Sequence, residues 1–388
     1  MEEPEEAESC EFGWQNEVHV MSDVHIGCRP KATSCTTVFS VVPPVSAPAG
    51  CDNSTRKSWD PESHLIKGDL ENEDGGDDGS VSTAVTYDES GDLILPRRHK
   101  RQRHSQRSLS GELITIHHQL TTRLPGVGLQ IWRGALLLAD FLLDTISSSL
   151  QFHNINVIEL GAGTGLTGIV MAKGAKRVFI TDRDADILDN CTRNVLANSG
   201  LYLNGEESVQ VRKLDWLQSW PPAVSHDVED GDEQETRRDE SAYAWSEKDL
   251  DEARSATVLL AADVVYSPEL TEAFFEVLDK IMNFGNTKTL FLALEKRFNF
   301  SVDELDVVAY GYKQFRSFFH VREPGTDSCN TVATEDTPVL NDFQWKFEGS
   351  KIPIDQVQQH IVEYERGKDL ELWEITRCKC QEKGAKNQ

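Results

Sequence analysis

From about Glu112 onward the chain alternates short apolar runs with stretches whose apolar positions recur at helical spacing, the pattern of a parallel sheet covered by helices. Ile131–Thr145 reads as a helix, and Asn156–Leu160 as a strand that enters a glycine loop. Arg177–Thr181 is predicted to be a second strand ending at Asp182, followed by a helix over Asp184–Asn198. Further strands are expected near Val209–Leu214, at Thr257–Ala262 and at Thr289–Leu294. Pro268, suited to the first turn of a helix, opens one that runs to Ile281, and Asp303–Phe319 reads as another. Phe343–Phe347 and Leu370–Thr376 are predicted to pair as an antiparallel hairpin at the sheet edge. The expected fold is therefore α/β, with seven mostly parallel strands, helices on both faces and no internal repeat.

The first 105 residues lack this texture. They are rich in Ser, Pro, Gly, Asp and Glu, with brief apolar runs only, so most of the segment is predicted to be mobile, with a short strand allowed at Val38–Val42. Residues 106–380 form the expected catalytic domain, and 381–388 a flexible tail. Within the domain, residues 221–254 are too polar for a sheet and read as an acidic surface insertion. One basic cluster, residues 96–104 with Arg97, Arg98, Lys100, Arg101 and Arg103, has the density of a nuclear-import signal or an anion-binding patch, or is simply a solvated charge run. The expected location is the nucleus, the cytoplasm or both.

Charge narrows the range of partners. With 39 Lys and Arg against 65 Asp and Glu, the formal net charge is -26, a field that repels phosphate backbones and attracts basic surfaces. A basic protein partner fits it better than nucleic acid does. The eight cysteines show neither a disulfide framework nor the paired spacing of a zinc site, and read as reduced thiols of an intracellular protein. The acidic start is no secretory signal, and the longest apolar candidate, Ile131–Leu143, is interrupted by Arg133 and Asp140. A soluble monomer without a membrane partner is expected.

Candidate chemistry lies where the first strand ends. Gly161-Ala162-Gly163-Thr164-Gly165 puts small residues where backbone must approach a ligand closely. Alone the loop is ambiguous, because Gly163, Gly165 and Gly168 also fit a dinucleotide pattern, and Asp182, at the end of the second strand, suits the ribose of either kind of cofactor. Glu159, two residues before the first glycine, suits a cationic group and would repel a pyrophosphate. Trp216, after Asp215, offers a flat face for adenine. Ala262, Asp263 and Tyr266 stand at the carboxyl end of the fourth strand, where open sheets of this type bind ligands.

Taken in order, Glu159 to Leu166, Thr181-Asp182-Arg183, Leu214-Asp215-Trp216 and the D-x-x-Y signature at Asp263 and Tyr266 resemble the class I, Rossmann-like, seven-strand protein-lysine methyltransferases of methyltransferase family sixteen. So does the tryptophan-bearing segment Ile131–Ala139. The resemblance spans about residues 112–376. It implies S-adenosylmethionine as cofactor, contacted by Trp132, Gly161, Ala162, Gly163, Asp182, Trp216 and Ala262, with Glu159, Gly165 and Asp215 as further candidates. It implies a protein lysine as acceptor and no metal. Asp263 would then orient the acceptor amine or help its proton leave, and Tyr266 would pack against the acceptor's stem. Three alternatives stay open on the residues alone: a nucleic-acid methyltransferase, although Asp263-Val264-Val265-Tyr266 lacks the paired prolines that flipped bases use; a nicotinamide enzyme; and a non-catalytic adaptor.

Overall fold

The computed structural model describes residues 19–22, 24, 34–42, 86–87, 93–94, 112–224, 242–301, 306–322 and 345–378. The basic cluster 96–104, the acidic run 225–241 and the tail 381–388 lie outside them. The chain divides into two compact units, one made of Met1–Pro44 with Gly111–Gln388 and the other of Val45–Ser110.

The first unit begins with β1 (His19–Met21) and β2 (Ser34–Val41). In the second unit β3 (Thr86–Tyr87) pairs antiparallel with β4 (Leu93–Ile94). The first unit resumes with β5 (Glu112–Gln119), β6 (Thr121–Arg123), α1 (Arg133–Ser148), β7 (Asn156–Leu160) and α2 (Leu166–Met171). Next come β8 (Arg177–Asp182), α3 (Ala185–Ala197), β9 (Val209–Lys213), α4 (Glu247–Arg254) and β10 (Val258–Ala262). They are followed by α5 (Pro268–Met282), β11 (Thr289–Glu295), β12 (Asn299–Ser301), β13 (Asp306–Val308) and α6 (Tyr310–Arg316). The last three strands are β14 (Phe319–Val321), β15 (Phe347–Ile352) and β16 (Leu370–Arg377).

One sheet carries the site, in the order β14-β15-β16-β11-β10-β7-β8-β9. Strands β11, β10, β7, β8 and β9 run parallel. All five residues of β7 are buried and β10 is buried at four of five, as expected where helices cover both faces and no strand face meets water. The central strands and the helices after them agree with the sequence to within one or two residues.

Six expectations need correction. The sheet has eight strands, not seven, and the β15–β16 hairpin is not at its edge, because β14 pairs parallel with β15 beyond it. The helix read over Asp303–Phe319 shrinks to the seven residues of α6. Phe319 leaves the helix and still packs on Phe315 (4.9 Å) and Trp373 (5.3 Å), so pairing with β15 preserves the burial that helical spacing had suggested. The segment 221–254 is not wholly a surface insertion either. Trp245 is 1% exposed, stacks on Phe179 at 5.3 Å and donates its indole N–H to Lys213 O at 2.8 Å, and Ser246 and Asp249 form a capping box that starts α4.

The N-terminal boundary also moves. β2 pairs with β5 along eight residues and buries Phe39, Ile114 and Ile116, while Asn194 of α3 and Asn198, which caps that helix, accept the backbone N–H of His117 (2.7 Å) and Thr115 (2.9 Å). An apolar run too short to signal a domain is thus a strand of the first unit. Leu124–Ser148, finally, is long and apolar enough by composition to cross a membrane, with mean hydropathy 1.3, contrary to the reading of Ile131–Leu143. In this fold α1 spends that apolar surface inside the protein, burying Leu136, Leu137, Leu138 and Leu142 completely.

Trp245→Ala should lower the unfolding free energy by about 3–5 kcal/mol in denaturant titrations, the usual cost of truncating a buried aromatic side chain. A loss under about 1 kcal/mol would return residue 245 to the surface.

Candidate functional site

The parallel strands end together, and outside the carboxyl ends of β7, β8 and β10 lies a cavity of about 420 Å³. It is lined by Trp132, Glu159, Gly161, Ala162, Gly163, Asp182, Asp215, Trp216, Ala262, Asp263 and Tyr266. Every predicted site residue is therefore in its wall except Gly165. That glycine starts α2 in the left-handed region, and a Cβ there would lie 2.6 Å from Cys191 Sγ, so it serves packing beneath the loop.

The loop is shaped by what stands over it. Gly161 has φ +67°, and a Cβ on it would come within 2.9 Å of the Trp216 ring, so only glycine lets the tryptophan sit against the loop. Trp216 is fixed from behind by an edge-on contact with Phe274 at 5.1 Å. The N–H of Gly163 donates to Asp182 Oδ2 at 2.9 Å, and the N–H of Arg183 to Oδ1 at 2.7 Å, so the acid at the end of β8 is locked to the loop. Burial raises its pKa against the pull of these two donors. Asp215 accepts from the N–H of Leu217 at 3.0 Å and holds the turn that carries Trp216.

Two carboxylates do something other than expected. Glu159, 2% exposed, accepts from the Thr167 hydroxyl and, at 2.9 Å, from the Gly168 N–H. Desolvation lifts its pKa to about 8, so it braces the start of α2 rather than presenting a free charge to a cation. Asp263 sits at φ +53° with Oδ2 accepting from Gly134 N–H at 2.6 Å and Oδ1 from Glu295 N–H at 2.8 Å. Its oxygens are directed at backbone, and burial raises its pKa, with Arg297 opposing. It is a positioning residue for the starts and ends of neighbouring elements, not a group turned toward an acceptor. Tyr266, 45% exposed, lines the cavity.

Sequence reasoning missed part of the wall. Arg297 lies over the Trp132 ring at 4.3 Å, and Trp132 in turn donates its indole N–H to Val127 O at 3.0 Å. Arg297 lies two residues beyond β11, where no motif marks it. Val20 of β1 also lines the cavity, and nothing local signals that, because its partner Thr122 is a hundred residues further on.

The arrangement suits a nucleoside cofactor with an extended amino-acid arm. Asp182, with its carboxylate held at the loop, can accept from ribose hydroxyls; Trp216, Leu214 and Val264 offer an apolar slot to a base; and the glycines of the loop bring backbone to the same cavity that Trp132 lines. The residues present fit S-adenosylmethionine.

Sheet, glycine loop and acid together define a Rossmann-like class I methyltransferase fold. Residues 110–230 match the family model described as lysine methyltransferase, as the motifs predict. Over 269 residues the chain is 35% identical to methyltransferase-like protein 22 of Homo sapiens, covering 68% of this chain and 57% of that protein. The same named protein of Mus musculus is 35% identical over 297 residues, 76% of this chain and 65% of that one. Protein N-lysine methyltransferase METTL21A of Danio rerio is 29% identical, with 64% and 92% covered. The chain thus spans 57–65% of the length of the two methyltransferase-like 22 relatives.

Glu159 gives a pH signature. Its carboxyl ionises near 4.5 when exposed and near 8 when folded, so between those values the folded state holds the extra proton and stability falls as pH rises. Glu159→Gln should therefore gain stability relative to the parent chain between about pH 5 and pH 8 in denaturant titrations. A constant difference across that range would show the carboxyl to be ionised in the fold.

Proposed function

We propose that this chain transfers the methyl group of S-adenosylmethionine to a lysine side chain of a protein. What carries the reading is convergence: Trp132, the Gly161–Gly163 loop, Asp182, Asp215–Trp216 and Asp263–Tyr266, scattered along the sequence, line one cavity at the carboxyl ends of the parallel strands. The similarity of residues 110–230 to the lysine methyltransferase family and the name of the Danio rerio relative support lysine as the acceptor. The net charge of -26 supports a substrate with a basic surface.

When bound, S-adenosylmethionine supplies a methyl group already activated on a sulfonium, so the work of the chain is binding, orientation and exclusion of water. Asp182 and Trp216 would hold the adenosine end, and the bare backbone at Gly161–Gly163, beside Trp132, the amino-acid end. Glu159 keeps the loop in place through Thr167 and Gly168. Asp263 fixes the first turn of α1 and the end of β11, and so sets the mutual position of Trp132 and Arg297. Tyr266 is placed to pack along the stem of an incoming side chain. Residence in the nucleus, the cytoplasm or both follows from the basic cluster alone, and replacing Arg97, Arg98, Lys100 and Arg101 with alanine should remove any nuclear signal from the tagged chain.

The activity test pairs binding with transfer. The purified chain should bind S-adenosylhomocysteine in calorimetry, and Gly161→Ala and Asp182→Asn should each weaken that binding at least about tenfold, or 1.4 kcal/mol. Incubation with methyl-labelled S-adenosylmethionine and cell extract should label protein, with methyl-lysine recovered on hydrolysis. No affinity for S-adenosylhomocysteine, or label confined to nucleic acid, would overturn the reading.

A further inference from the structure

A second, smaller chamber of about 120 Å³ adjoins the cavity and shares Trp132 and Arg297 with it; its other walls are Met21, Ser22, Arg133 and Glu295. The Arg297–Trp132 stack stands in the walls of both, so whatever enters the small chamber reaches the same aromatic ring that borders the large one. Resting on the lysine-methylation reading, we propose that this chamber is the entrance for the acceptor lysine side chain, and that the N-terminal strand β1 is its outer wall and a determinant of acceptor specificity.

Three observations carry this. The first is that β1 is fastened to the site and does not merely lie near it. β1 pairs antiparallel with β6, and just beyond it Ser22, 3% exposed, donates its N–H to Gln130 Oε1 at 2.6 Å and its hydroxyl to Ile131 O. Gln130, itself buried, donates to Val20 O at 2.9 Å and to Thr122 Oγ1 at 2.7 Å. These bonds fix β1 to the residues that lead directly into Trp132.

The second is chemical. A lysine side chain needs apolar wall for its methylenes and a setting that favours the neutral amine, since an ammonium has no lone pair to accept a methyl group. Met21 and Trp132 supply the wall. Arg133 and Arg297 bring two guanidinium groups to the chamber; Glu295, the carboxylate that lines it, is engaged by Arg133 at 2.7 Å, and Asp263, which also acts on Arg297, has both oxygens taken by backbone N–H groups. An amine between two such cations is driven toward its uncharged form. The third is that Met21 is 63% exposed, an apolar side chain kept at the lip of a polar chamber by a buried hydrogen-bond network, where an acceptor surface would cover it.

The test measures two quantities on the full chain. Initial rates of label transfer from S-adenosylmethionine, read against serial dilutions of cell extract, give an apparent half-saturation for acceptor; calorimetry with S-adenosylhomocysteine gives cofactor affinity. Met21→Glu, at an exposed position that leaves the fold intact, should raise the acceptor half-saturation at least fivefold with cofactor affinity within twofold of the parent, and Met21→Leu should restore it. Ser22→Ala, which unfastens the strand, should act in the same direction. An unchanged half-saturation in Met21→Glu would overturn the proposal, as would parallel loss of cofactor affinity, which would make β1 a cover for the large cavity only. If the parent chain transfers no label at all, the lysine-methylation reading itself fails, and the parent control separates that result from the others.

Discussion

Asp263 accepts two backbone N–H groups at the point where three elements meet, and the geometry of the site hangs on that pair of bonds. The residue begins the turn after β10; Gly134 lies in the first turn of α1 and Glu295 closes β11. A carboxylate buried here without partners would be costly, and two short bonds to peptide groups offset that cost. They also leave no freedom for α1 to slide against the sheet, so Trp132 at its start and Arg297 beyond β11 are held at stacking distance. The strained φ of Asp263 is tolerated because these contacts over-determine it.

The same device, a buried acid satisfied by backbone, recurs beneath the glycine loop and on the far side of α1. Glu159 takes Thr167 and Gly168, Asp182 takes Gly163 and Arg183, and Asp140, fully buried, takes the N–H groups of His360 and Ile361 at 2.8 Å together with Tyr364 and Arg366. Acids that a strongly acidic chain could have left in water are instead used to tie loops to the sheet. This separates two roles that sequence motifs blur: a motif residue can line a cavity and still have its carboxyl oxygens engaged by the protein rather than by a ligand. Glu159 and Asp263 are of that kind, and Tyr266 and Trp216 are the side chains that face outward.

The core sheet was legible because its signal is local. Asn156–Leu160, buried throughout, runs straight into glycines, and Val258–Ala262 is a five-residue apolar run closed by Asp263; their shortness and flanking residues mark them as strands. Candidate positions were legible one segment at a time, as strand ends, glycines and acids, but that Trp132, Gly161–Gly163, Asp182, Trp216 and Tyr266 line one cavity was decided by the fold. Where two pairings satisfied the same burial, the sequence was silent. Phe315 and Phe319 keep their aromatic neighbours whether residue 319 is helix or strand, and only the presence of Phe347 alongside decides for β14.

What the sequence determined by itself, then, was the class of fold and the order of the central elements, because each depends on neighbours close along the chain, and it marked the segments from which eleven of the twelve candidate residues reach the cavity. What only the tertiary structure decided was everything joined across long separations: β2 laid on β5, Trp245 returned to the core from an acidic stretch, Arg297 set over Trp132, and β1 brought to the wall of the cavity. Contacts of that kind are fixed by the closing of the whole chain around its sheet, and no local pattern of residues encodes them.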